Sequence, residues 1–594
     1  MEASEVRRKR KRMVRSLWSN YYYLFSARSI FLCFSFFVLF FIVSSDRFSF
    51  HFRPNLSPSS LSLHSSATYS VLHSLNFNQT FVHLLFKLQH RIHFPDHLLL
   101  IVAGGEIPRS NELECVYYKL ANLSDQVNNN NPVIDVLSLP VISTDRYTEF
   151  RSIVRCPIPP INYSSAAVNL RQRGGEVGDR HRSWELLTNL TNHSWSNLAY
   201  EAYLDGDTVV VFVKGLNLRP HQISDPTRFG CHFGFKNGEF IIKTTAISAA
   251  QEVVRCSLPR SIKNNPNKAL GFRVTVSRSG KSKRNPINNL MPSVATIQNR
   301  VTETMTTEKK KKKHEFCVCT MVWNQASALK EWVMYHSWLG VERWFIYDNN
   351  SDDDIKNVIS ELNLGGYNVS RTTWPWIKTQ EAGFSHCALR SKQECNWVGF
   401  FDVDEFFYLK ARGGGRHQNS LKSLISNFSS STSSEIAEIR TACHNFGPSG
   451  LTSHPKRGMT TEYTCRMKNA ERHKSIVKPE MLHASLLNVV HHFGLKEGMR
   501  SVQLKEREGV INHYKYQVWE RFKDKFFRRV ATYVVDWYED KNKRSKDRAP
   551  GLGTEAVEPP NWRLRFCQVW DTGLKDFVLS HFAHPETGTL PWEK

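Results

Sequence analysis

Three Asp-x-Asp triplets occur in the chain: Asp205-Gly206-Asp207, Asp352-Asp353-Asp354 and Asp402-Val403-Asp404. Alternate residues of an extended segment share a face, so such a pair of carboxylates can converge on one cation. Hard carboxylate oxygens suit Mn²⁺ or Mg²⁺ and leave coordination positions for a diphosphate. Context separates the three. The first sits on an Asp-Gly turn before the apolar run TVVVFV, an ordinary hairpin use. The second lies at a predicted helix start, where acids complement the helix dipole. The third follows Trp397-Val398-Gly399-Phe400-Phe401 and precedes Glu405-Phe406-Phe407. Carboxylates beside that much apolar surface cost free energy unless a cation compensates. Asp402 and Asp404 are therefore the predicted metal ligands.

Other residue types complete the candidate chemistry. His513 is the choice for a third metal ligand, with His492 as the alternative. Lys474, Lys515 and Lys523 are candidates for phosphate contact, although lysines on helices are usually solvated. Glu405 and Glu471 are candidates for a general base; Glu471 could instead pair with Arg472. The polar run Asp348-Asn349-Asn350-Ser351-Asp352 follows RWFIY and reads as a ligand-facing loop, a helix cap, or both. Glycosylation of the sequon at Asn349 would block it. Gly447-Pro448-Ser449-Gly450 reads as a turn near a ligand or as simple loop geometry. Trp374, Trp376 and Tyr408 could stack on sugars, with core packing the role of at least one.

These residues need a frame. Phe316 to Val322, Arg343 to Tyr347, Val369 to Trp374 and Trp397 to Phe401 read as strands. Leu329, Trp332, Val333 and His336 recur at helical spacing, and helices also fit Asp353 to Leu362 and Lys378 to Glu394. Alternating strands and helices imply a mainly parallel, doubly covered sheet, whose ligands bind beyond the carboxyl ends of strands. Earlier in the chain, Leu98 to Val102, Thr208 to Val213, Phe240 to Thr244 and Phe272 to Val276 are strand-like and separated by turn residues. They suggest a β-sandwich. Ile153-Val154-Arg155-Cys156 and Val253-Val254-Arg255-Cys256 echo each other, a local resemblance rather than a repeat.

The chain has 594 residues and a formal net charge of +24. The excess is clumped at Arg7 to Arg12 and Lys309 to Lys313, and no zinc-finger or aromatic RNA-binding pattern accompanies it, so a nucleic-acid partner is not expected. Ser29 to Ser45 carries no charge and would cover about 25 Å as a helix. The basic cluster before it stays cytosolic under the positive-inside rule. A single-pass type II membrane protein of the Golgi is the expectation, with the catalytic part lumenal. Asn55, Asn78, Asn122, Asn162, Asn189, Asn192, Asn368 and Asn427 begin sequons, in keeping with that side of the membrane. Cys115, Cys156, Cys231 and Cys256 form an even set whose partners the sequence does not give. Cys387 and Cys395 could bridge locally, as could Cys443 and Cys465, or these thiols stay free and buried.

The segments FCVCTMVWNQASALKEWVMYHSWLGVERWFIYDNNSDDD and WVGFFDVDEFFYL resemble plant members of glycosyltransferase family 92. So do HNFGPSG, KSIVKP, VVHHF and NHYKYQVWERFKDKF. The resemblance covers about residues 314–530 well. It implies a GT-A nucleotide-diphosphosugar fold, inversion at the anomeric carbon and a UDP-sugar donor. Characterised relatives transfer β-linked galactose, and the plant ones extend pectic galactan and carry a carbohydrate-binding-like β domain. By this resemblance Asp402 and Asp404 hold Mn²⁺ or Mg²⁺ at the donor diphosphate, and Asp348 contacts the uridine. Asn350, Lys474 and Lys515 join the donor site. The expected order is a basic tail (1–28), an anchor (29–45), a stem (46–95), a β-sandwich-like domain (96–285), a linker (286–313) and an α/β GT-A domain (314–594). The expected activity is galactosyl transfer from UDP-galactose to a glycan or cell-wall polysaccharide, with homo-oligomerisation left open. The competing reading is a non-catalytic, membrane-anchored glycan-binding protein.

Overall fold

The computed structural model describes residues 87–104, 107–119, 136–174, 191–236, 238–278, 290–299, 313–410, 420–429, 435–489, 491–525 and 558–593. The expected tail, anchor and most of the stem lie outside these. Among the described residues no helix is long and apolar enough to cross a membrane.

The β-rich half is two copies of one strand arrangement. In the first, Leu88–His93 and His97–Ala103 form an antiparallel pair, extended by Arg151–Pro157 and Ser143–Thr148, and Asn192–Ser194 adds in parallel at the other edge. In the second, Leu198–Asp205 and Thr208–Lys214 pair likewise. Val253–Ser257 and Glu239–Ala250 extend them, and Ile297–Gln298 adds in parallel. Leu113–Tyr118 with Ser164–Gln172 corresponds to Phe229–Lys236 with Val274–Arg278. The disulfides correspond too: Cys115–Cys156 and Cys231–Cys256. The echo of Ile153–Cys156 in Val253–Cys256 is thus the legible trace of a whole-unit duplication, which corrects the local reading. The trace survives there because that strand carries the bridging cysteine and an arginine that reaches the C-terminal half. Arg155 meets Asp352 at 3.2 Å, and Arg255 donates to the Ala484 carbonyl at 2.8 Å. The first strand begins in the stretch read as stem, and residues 290–299, read as linker, complete the second copy. Asp205-Gly206 forms the expected hairpin turn, with Asp205 opposite Thr208 and Gly206 at φ 61°.

The C-terminal half is a nine-stranded mixed sheet. Val369–Thr373, Arg343–Asp348, His314–Val322 and Cys395–Phe400 lie side by side in parallel. Arg472–Val477 then runs antiparallel, followed by Ile436–Asn445, Gly509–His513 and Glu405–Leu409. Side-chain alternation sorts each strand onto two cores. Phe316, Val318, Trp344 and Ile346 face helices Ala326–Trp338 and Ile355–Leu364. Cys317, Cys319, Phe345 and Tyr347 face helix Gln380–Ser391 and the β-rich half, in one core with Leu99, Ile101, Tyr200 and Phe212. The sheet is doubly covered, as expected, but the β-rich half takes much of one cover that helices would otherwise supply.

The same alternation overturns the local cysteine pairings. Cys317 and Cys319 point to one face, where Cys395 on the adjacent strand and Cys387 on the covering helix wait for them. The bonds are Cys317–Cys395 and Cys319–Cys387. Cys465 pairs with Cys567 rather than Cys443, which is a free and buried thiol. The segment from Trp562 docks onto the rest of the C-terminal half: Trp562 donates to the Gln517 carbonyl at 3.0 Å, and Phe566 stacks on Tyr516.

Candidate active site

The four parallel strands end along one edge, where Val322, Asp348 and Thr373 are register partners. Asp402 follows the fourth strand by two residues. Gly399 is required in that strand, since a Cβ there would lie 2.6 Å from the Phe401 ring. The chain then turns into Glu405–Leu409, which places Glu405 opposite His513, while Asn445 flanks His513 on the other side. Sheet register therefore brings two distant strands, Gly509–His513 and Ile436–Asn445, beside the Asp402-Val403-Asp404 turn.

Each aspartate of this turn holds a lysine. Lys474 is 5% exposed; its ammonium hydrogen-bonds Asp402 Oδ2 at 2.9 Å and His491 Nε2 at 2.6 Å, and forms an ion pair with Glu405 Oε1 at 2.9 Å. Lys525 meets Asp404 Oδ2. His513 stands 3.7 Å from Asp404 and 3.6 Å from Glu405. Burial alone would raise the aspartate pKa values, but the cations win. Lys474 holds Asp402, and Lys525 with His513 holds Asp404, well below the usual carboxylate range. Glu405, fully buried, is pushed up by burial despite Lys474, and its Oε2 accepts the Asp402 backbone N–H at 3.0 Å. Burial and the neighbouring Lys474 lower His491 to about 3, so it is neutral and accepts from the lysine.

The expected residues fall into three groups. Asp402, Asp404, Glu405, Lys474 and His513 are together. Lys474 is bound to carboxylates, not open to a phosphate. Glu471 and Lys515 lie on the rim: Glu471 accepts from Asn445 at 2.5 Å and meets Lys515 at 3.4 Å. Lys523 is exposed. The remainder are elsewhere. Both ring nitrogens of His492 are taken, by Glu438 at 2.8 Å and the His473 carbonyl at 3.0 Å. Its neighbour His491 is the one beside Asp402, at 3.6 Å. His491 reaches it from a turn in which its own backbone is left-handed, φ 71°, whereas His492 begins the short strand that follows. Lys525 is a further residue at the site; it lies in the run NHYKYQVWERFKDKF, where nothing sets it apart from Lys515 and Lys523.

Asp348 is 1% exposed. Ser351 N–H donates to it at 3.0 Å and Arg371 Nε at 2.8 Å, so a base contact through this carboxylate requires Arg371 to release it. Asn350 takes a left-handed backbone, φ 64°, and braces its loop by donating to the Pro375 carbonyl. Asn349 donates to the carbonyls of Trp374 and Trp376, bonds that a glycan would break. Asp353 accepts from the first residue of helix Ala326–Trp338, and Asp354 sits at the N-cap position of Ile355–Leu364 with its carboxylate turned to the Asn357 side chain rather than to a backbone N–H. Trp374 and Trp376 do not stack on sugars. They are buried against Tyr200 and Trp195 of the β-rich half. Tyr408 packs on Phe577 of helix Gly573–Phe582. Gly447 and Gly450 receive the C-terminal segment: a Cβ on Gly447 would lie 2.9 Å from Phe566, and Gly450 donates to the Arg563 carbonyl.

The donor atoms of Asp402, Asp404 and His513 suit a divalent cation in kind. Among the described residues they do not converge as a three-group ligand set. The reason is visible: lysine ammonium groups lie on both aspartates.

The sequence profile of glycosyltransferase family 92 matches residues 312–548. A glycosyltransferase family 92 protein of Ricinus communis is 53% identical over 100% of this chain and 99% of its own length. A galactan beta-1,4-galactosyltransferase of Arabidopsis thaliana is 28% identical over 21% of this chain and 26% of its own. Among solved structures, a mannosyltransferase of Pyrobaculum calidifontis in complex with GDP-Man and Mn²⁺ aligns with 41% of this chain and 68% of its own. That alignment has 11% identity and a TM-score of 0.24, too slight to bear on mechanism. Full-length identity above one half, carried by a chain with clustered, cation-bound carboxylates at a parallel sheet edge, identifies this protein as a member of glycosyltransferase family 92.

Proposed function

We propose that this glycosyltransferase moves galactose from UDP-galactose to a β-galactan type of acceptor with inversion, using a GT-A site that holds Mn²⁺ or Mg²⁺. The observation that carries the reading is the Asp402–Asp404–His513 corner, two ionised carboxylates and an imidazole at the carboxyl edge of a parallel sheet. The partial likeness to a galactan galactosyltransferase supports galactose. A divalent cation held by these three residues would offset negative charge on the departing diphosphate.

The chain's own residues supply the rest. Inversion takes one displacement: the acceptor oxygen bonds to the anomeric carbon as the bond to UDP breaks, and a base removes the hydroxyl proton. Of the two base candidates, Glu405 is enclosed by Lys474 and the Asp402 N–H. Glu471 is the exposed one, oriented by Asn445 and Lys515 next to His513. Glu471 is therefore the base in this reading. The uncharged run at 29–45 after a basic cluster supports a Golgi type II anchor. The five disulfides of the described residues fit a lumenal, oxidising compartment.

The test is a donor screen on the purified chain with manganese, several UDP-sugars and β-1,4-galacto-oligosaccharide. EDTA-sensitive UDP release that requires both UDP-galactose and acceptor is the expected result. No release from any donor, with no metal-dependent UDP binding, would replace this reading with a glycan-binding role.

A further inference from the structure

Two lysines sit on the aspartate pair, and their settings differ. Lys474 is 5% exposed, hydrogen-bonds Asp402 and His491, and lies against the Glu405 carboxylate as an ion pair. Removing it would strand Glu405, which is 1% exposed, without its cation. Lys525 is 22% exposed, and its contact is Asp404 Oδ2, the oxygen that also faces His513 Nε2 at 3.7 Å. An ammonium and a divalent cation cannot share that oxygen at contact distance, because like charges repel strongly where water is sparse.

We infer that Lys525 is a displaceable placeholder cation: it pairs with Asp404 until a divalent ion arrives with the donor, and then turns to the donor diphosphate. The inference rests on the metal reading of Asp402, Asp404 and His513. Three features of the structure carry it. Asp404 is 9% exposed and needs a counter-charge at all times. Lys525 reaches water and can leave, whereas Lys474 cannot. The diphosphate is the anion that would take over the freed ammonium. Metal and nucleotide should then bind as a coupled pair, each raising the affinity of the other.

The test is a titration of the purified full chain with Mn²⁺, following free Mn²⁺ by electron paramagnetic resonance, with and without UDP. Without UDP, Lys525→Met should bind Mn²⁺ about tenfold tighter than the natural chain, the worth of removing a part-buried competitor. UDP should then tighten Mn²⁺ less in Lys525→Met than in the natural chain. Lys525→Arg, which keeps the charge, should stay close to the natural values. Lys525→Gln serves as a second neutral variant should Lys525→Met fail to fold. Unchanged or weaker Mn²⁺ binding in the neutral variant, while UDP still promotes Mn²⁺ binding in the natural chain, overturns the inference. If the natural chain binds no Mn²⁺ even with UDP, the metal reading itself falls and this inference goes with it.

Discussion

Asp145 of the first β copy and Asp348 at the end of a catalytic strand share one guanidinium, that of Arg371. Arg371 Nε donates to Asp348 at 2.8 Å and Nη1 to Asp145 at 3.0 Å. The β-rich half thereby reaches the sheet edge where the candidate site lies. With Arg155–Asp352 and Lys392–Asp205, it forms a charged seam around the apolar interface.

Breaking this bridge from its middle should be severe. Arg371→Met leaves Asp348, 1% exposed, as a buried charge without a cation. The expected cost is about 3–5 kcal/mol of stability. Asp145→Asn removes the more exposed acceptor and should cost about 1 kcal/mol or less. Denaturant unfolding of the two variants separates them. Equal, small losses would mean that Asp348 finds water when Arg371 is gone.

Asp404→Ala tests the metal corner with little risk to the fold. Its partner Lys525 is 22% exposed and can turn to solvent. Asp402→Ala is the poorer probe, because Lys474 beneath it is 5% exposed. Turnover in Asp404→Ala should fall by about 100-fold or more, with the near-ultraviolet circular dichroism unchanged. Near-normal turnover in a folded variant would remove Asp404 from the metal site.

Much of this was legible because local pattern and global fold agree. The four parallel strands and their helices follow from apolar periodicity, and Asp402 and Asp404 stood out because acids abut an apolar run. What was not legible depends on partners far along the chain. No spacing rule links Arg371 to Asp145, or Lys474 to Asp402. No spacing rule links Cys319 to Cys387 either; the packing of helix Gln380–Ser391 brings them together. The tryptophans 374 and 376 read as sugar platforms because the β-rich half that buries them gave no sequence sign of docking there.

Stability should fall as pH falls, through two groups away from the catalytic corner. His336 is fully buried, and burial lowers it to about 4 from 6.5. The unfolded chain takes up that proton first, so its contribution is complete above about pH 6.5 and is lost toward pH 4. For Glu438, burial raises the pKa but hydrogen bonds from His492, Arg440 and Ser475 outweigh it, giving about 2 against 4.5. Its contribution is complete above about pH 4.5 and is lost toward pH 2. Urea midpoints measured from pH 7 to pH 3 should therefore decline. His336→Gln should flatten the upper part of that decline and Glu438→Gln the lower part. A His336→Gln profile parallel to the natural one would show that His336 is not the group responsible.

The Cys465–Cys567 bond closes a separation of 102 residues and holds the C-terminal segment against the catalytic half. That segment contributes Trp562 and Phe566 to a cluster with Tyr516 and Phe522, the latter on the same helical stretch as Lys525. Cys567→Ser frees the unfolded chain from a long loop and should cost about 2–5 kcal/mol. The cluster loosens with it, so Lys525 should lose its fixed approach to Asp404 and turnover should drop alongside stability. The free Cys443, buried and with its thiol pushed well up by burial, should not react with a thiol reagent in the folded chain and should react on unfolding. Mass spectrometry of labelled peptides before and after mild reduction checks both points: label at Cys465 and Cys567 after reduction, and none at Cys443 until denaturant is added. Label at Cys443 in the native chain would contradict its burial.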